Sequence, residues 1–152
     1  MFSSIAKKSL PLLATALVVA TVSAQANAAE LKAKIGAYPG TKATVTGKVD
    51  VSFKHGQTLL KYHLMGLPPV ANGGLHIHVG KTCDDASKVG GHYFSPTTAG
   101  DYWKSGEWSS DTKGDAKGSF TVLSDLGYKD NKGHALVIHG PDGARIGCGI
   151  LK

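Results

Sequence analysis

Short alternating segments, separated by glycine, proline, asparagine and aspartate, run from residue 43 to the end of this chain, and helical periodicity is nearly absent. In residues 43–53, Val45, Gly47, Val49, Val51 and Phe53 share one face, while Thr46, Lys48, Asp50 and Ser52 share the other. That period of two is the signature of a half-buried strand. His55-Gly56-Gln57 reads as a turn and residues 58–65 as the returning strand, giving an antiparallel hairpin. Further strands are expected at 74–79, at 119–123 after a Gly- and Asp-rich turn over 112–118, and at 134–139 and 144–151. Many short strands with turns between them imply an all-β antiparallel sandwich or barrel. One segment, 81–107, fits no strand pattern and carries polar and aromatic residues with several glycines. A connection of that length in a compact domain tends to be functional. Trp103, Trp108 and Tyr93 are expected to pack it onto the barrel.

The first 28 residues are set apart from this pattern. Lys7 and Lys8 precede an apolar run over 10–22, and Ala24-Gln25-Ala26-Asn27-Ala28 follows. This order is that of a secretory signal peptide, with cleavage expected after Ala28 and Ala26 as the nearest rival. The apolar run is too short to span a bilayer comfortably. One domain, residues 29–152, then remains, in a periplasmic or secreted setting and without membrane insertion. Without Lys7 and Lys8, 15 basic residues face 11 acidic ones, a net charge of +4 with histidine neutral. The lysines are spread along the chain, without the basic run or interleaved aromatics of a nucleic-acid binder. A mildly positive surface does favour encounter with small anions. Cys83 and Cys148 form an even pair, which in an exported protein reads as one disulfide.

Four of the seven histidines sit where they could bind a metal. His76 and His78 lie at i and i+2 of an expected strand, on one face, with Cα atoms about 6.5 Å apart. His92 lies on the long loop and His139 closes the strand over 134–139. A His-x-His pair alone is more often incidental than a metal site. His55, His63 and His134 are expected to be solvated or satisfied in the core.

The order of motifs adds to this. Gly74-Leu75-His76-Ile77-His78, then Cys83, then Gly91-His92-Tyr93-Phe94-Ser95-Pro96 resemble the G-x-H-x-H, cysteine and G-x-H-F-x-P elements of the Cu/Zn superoxide dismutase family. Val137-Ile138-His139 and Gly143-Ala144-Arg145-Ile146-Gly147-Cys148-Gly149 resemble its V-x-H and G-x-R-x-x-C-G elements. The resemblance implies a Greek-key β-barrel with one long active-site loop. It also implies one copper per chain, held by His76, His78, His92 and His139, a Cys83–Cys148 disulfide, and Arg145 as the residue that attracts and orients superoxide. Four imidazoles suit copper, which heads the divalent affinity order. The implied reaction is dismutation of superoxide to dioxygen and hydrogen peroxide, with a copper donor as a further partner.

Two departures stand out. The family's zinc site needs further histidines after the bridging one, yet none occurs between His92 and His134, so no zinc is expected. Only Gly140-Pro141-Asp142 separates His139 from Gly143, where the family has a long charged loop. Both losses resemble the copper-only branch. Some other group should then hold the second nitrogen of His92. Glu107 is the expected partner, by resemblance to that branch, with Asp111 and Asp101 as rivals and a plain surface role as the alternative. Two other functions fit the same residues: a copper-buffering protein without turnover, and a structural module that kept the scaffold.

Overall fold

Leu31, Ala33 and Ile35 alternate with Lys32 and Lys34, and this stretch forms the first strand of the computed structural model, which describes residues 29–96 and 100–152. The leader expected over 1–28 lies outside the described residues. Eight strands follow in the order β1 (Ala29–Ala37), β2 (Thr46–Lys54), β3 (Gln57–Met65), β4 (Asn72–His78), β5 (Glu107–Ser109), β6 (Ala116–Leu123), β7 (Ala135–His139) and β8 (Arg145–Ile150). A single helical turn, α1 (Tyr128–Asn131), lies between β6 and β7. The strands make one antiparallel sheet ordered β5-β4-β7-β8-β1-β2-β3-β6. Its two ends, β5 and β6, come together so that the barrel nearly closes. The β3–β4 and β6–β7 connections cross between the halves, as Greek-key connections do. Among the described residues no helix is long and apolar enough to cross a membrane.

The expected hairpin is β2–β3, tightened to a two-residue turn at His55-Gly56, both at positive φ (51° and 73°). Such turns match the twist of the flanking strands. The Gly- and Asp-rich turn is shorter than expected because β6 begins at Ala116 and pairs with Leu64. Leu31, Val49, Val51, Leu60, Leu64, Leu75, Ile77, Leu136 and Ile138 fill the interior. Trp103 and Trp108 join them at 1% exposure each, so the long loop is anchored by the burial expected of it. Truncating either indole to alanine would cost about 3–5 kcal/mol.

Cys83 and Cys148 are joined, with Cα atoms 5.8 Å apart, and tie the long loop to β8 across 65 residues of sequence. In the chain-entropy account that ring contributes about 4 kcal/mol.

Candidate metal centre

Two strands and one loop bring the histidines together. His76 and His78 lie on β4, and His139 ends the neighbouring β7 beside a register shift. His92 arrives on the loop, which is stitched to the end of β4 through its backbone. Val79 N–H donates to Gly91 O, Gly80 N–H to Val89 O, and Tyr93 N–H to Ile77 O. The indole N–H groups complete the support: Trp103 donates to Tyr93 O at 2.6 Å and Trp108 to His139 O at 2.9 Å.

The four imidazoles each offer a ligand nitrogen within 4.8 Å of the others. Their ring centroids lie 4.4 Å apart for His76 and His92, and 5.3 Å apart for His78 and His139. The hydrogen bonds on the far side of each ring fix which nitrogen faces inward. His78 Nδ1 meets Gly90 O at 2.9 Å, His139 Nδ1 meets Gly143 O at 2.9 Å, and His76 Nε2 meets Gly106 O at 3.2 Å. His92 Nδ1 meets Asp101 Oδ2 at 2.6 Å. A carbonyl or carboxylate oxygen accepts, so each of these nitrogens carries a proton, and in the neutral ring the other offers its lone pair. The inward set is therefore Nδ1 of His76 and Nε2 of His78, His92 and His139.

Two observations show that this arrangement fits a cation. His76 Nδ1 is buried without a hydrogen-bond partner, an arrangement that costs about 1–3 kcal/mol. His78 Nε2 and His139 Nε2 face each other at 3.1 Å, two acceptors where one should be a donor. Burial, with the neighbouring histidines, lowers the His76 pKa to about 3. Burial lowers that of His78 to about 4 against the Gly90 hydrogen bond, with Arg145 and the other rings adding to the fall. Burial also lowers that of His139. These three rings are thus neutral and ready to ligate.

Asp101, rather than Glu107, holds His92. Burial opposes ionisation of Asp101, but the bonds from His92 and from Trp103 N–H outweigh it and keep its pKa below the usual range. Glu107 instead stands exposed on β5, paired with Gly74 across the strand. It lines the rim of an open basin of about 490 Å³ whose floor includes His76, His92 and His139, with Lys104 also on the rim. Asp111 caps a turn away from the cluster, accepting from Lys113 and Asp115 N–H. The sequence signal for Asp101 was its place in the same long loop, nine residues after His92, followed by the Tyr102–Ser105 turn that it caps.

Arg145 opens β8 opposite His139. Its guanidinium donates to Gly90 O at 2.5 Å and to the Tyr38 hydroxyl at 3.0 Å. Tyr38 in turn lies within 3.3 Å of Ala86 O, so it links the arginine to the disulfide-bearing loop. Its role was not legible in the sequence, where it follows β1 with no motif. His134 is core-satisfied, with Nδ1 3.0 Å from His78 O and its ring stacked on Tyr93 at 4.0 Å. His55 and His63 are exposed. No protein-family model matches the chain, and no curated protein matches it.

Proposed function

We propose that this chain is a copper-dependent superoxide dismutase that works without zinc, in a periplasmic or secreted setting. The observation that carries the reading is the convergence of four imidazole nitrogens within 4.8 Å of one another, beside a guanidinium whose position is fixed by two hydrogen bonds. An all-nitrogen set favours copper over the hard, oxygen-seeking cations. His76, His78, His92 and His139 would hold it. When bound, copper supplies the one-electron exchange by which two superoxide anions and two protons become dioxygen and hydrogen peroxide.

The remaining parts follow from the chain's own groups. Asp101 keeps the proton of His92 on Nδ1, so that Nε2 stays available as a ligand. It also occupies the nitrogen that a bridging histidine would give to a second metal, which favours a zinc-free site. Arg145 supplies a permanent positive charge for the anion. The basin is open to solvent, the route by which superoxide and protons would reach the histidines.

Loading the purified protein with Cu²⁺, dialysing it and following superoxide decay by pulse radiolysis tests the proposal. Expected are one retained copper, a nitrogen-coordinated electron paramagnetic resonance spectrum, and decay that accelerates in proportion to bound copper. Retained copper without accelerated decay would point to the buffering protein instead. Loss of copper on dialysis would overturn both.

A further inference from the structure

The strands that carry no metal-centre histidine hold a second feature. Lys34 on β1 is paired with Lys48 on β2, Lys48 with His63 on β3, and His63 with Lys117 on β6. All four residues are exposed on the outer face. With strands about 4.8 Å apart, the row runs about 14 Å across the barrel, perpendicular to the strands. Like charges directly opposite each other on paired strands destabilise a sheet, so the Lys34–Lys48 pair costs the fold something that polar residues would avoid. A groove of about 410 Å³ lies along the Lys48–His63–Lys117 part of the row and is also lined by Asp50, Lys61, Tyr62 and Ser119.

We infer that this row is a binding site for a linear acidic polysaccharide, with one anionic group seated over each lysine. The surroundings select a chain over a plane. In the next row Asp50 interrupts the positive charge and pairs with Lys32 at 3.9 Å, and one row further stands Glu30, opposite Ser52. A lipid surface would press on both carboxylates, whereas a polymer laid along the stripe meets only Asp50, at the groove's edge. Duplex nucleic acid is disfavoured because no helix projects from this face to enter a groove. Single strands need aromatic rings on which to stack, and the one ring lining the groove, Tyr62, is partly buried against the core beside Phe120, ring centroids 6.4 Å apart. The site is independent of the metal centre and of the activity proposed for it.

The test is retention of the full protein on immobilised dextran sulfate, with Kd measured against ionic strength. Three lysines releasing one counterion each predict a loss of affinity on the order of 40-fold between about 50 and about 200 mM salt. The triple variant Lys34→Gln, Lys48→Gln, Lys117→Gln should abolish that dependence and elute in the void, with a thermal midpoint no lower than wild type. A charge-matched control, Lys42→Gln, Lys129→Gln, Lys152→Gln, alters three exposed lysines outside the row and should bind as wild type does. Equal weakening by the control would overturn the inference by reducing it to net charge. So would absence of wild-type retention, or equal binding of long-chain polyphosphate or of anionic phospholipid vesicles by wild type and row variant.

Discussion

Replacing Gly74 by alanine should disable the metal centre while leaving the barrel folded. A Cβ at this position would stand 2.4 Å from His76 Cε1 and 2.7 Å from its Nε2. Ordinary contact begins near 3.4 Å, so the ring must move by about 1 Å. That shift breaks the 3.2 Å contact between His76 Nε2 and Gly106 O and swings Nδ1 away from the shared centre. The strand itself tolerates alanine, because Gly74 is not at positive φ. The stability cost is that of mild overpacking, about 1–3 kcal/mol, at the low end because the ring is only half-buried and can turn outward. Copper affinity should fall about 10–100-fold, the range seen when a ligand loses its orienting partner. Competition with a chelator of known affinity measures this, alongside thermal unfolding of the metal-free protein. Gly91→Ala is the control: it also neighbours a ligand histidine, but its added Cβ meets nothing within 4 Å. If Gly74→Ala binds copper within about two-fold of wild type, His76 is not held in the way argued.

Other outcomes follow from the same geometry. Asp101→Asn should weaken copper binding by about 10-fold or more, whereas Glu107→Gln, which alters only the basin rim, should leave it unchanged in the same competition assay. Tyr38→Phe removes the acceptor at 3.0 Å from Arg145 and should lower kcat/KM for superoxide a few-fold at unchanged copper affinity. The metal-free protein should lose stability as pH falls from about 6.5 toward about 3. The folded pKa values of His76 and His78 lie at about 3 and about 4, below the ordinary imidazole value, so in that window the unfolded chain binds protons that the folded chain excludes. Urea midpoints across the window should decline less steeply in His76→Leu, and an equal decline would count against neutral, buried ligands.

The period-two alternation of 43–53 made the β2–β3 hairpin and the all-β class readable, because one buried face imposes it directly. The four histidines were readable because β4 carries two on one face and motif order supplied the others. β1 alternates as clearly as β2, at Leu31, Ala33 and Ile35, but it directly follows the apolar and alanine-rich run over 10–28, which masks its period. The three-residue β5 is too short for any periodicity to register. Asp101 could not be chosen over Glu107 or Asp111 because a loop has no period. Its distance from His92 is set by a backbone bond to Ile77 and the burial of Trp103, both tertiary. The Arg145–Tyr38 bond spans 107 residues of sequence, beyond any local signal.

One backbone oxygen deserves a last consequence. Gly90 O accepts from both His78 and Arg145, seven residues from the cystine that fastens its loop. Ligand orientation and anion attraction therefore share a single fixed point. A change that displaces this peptide, such as Gly90→Ala at its φ of +72°, would detune both at once, so metal retention and turnover should be lost together, and repairing one alone should not be possible.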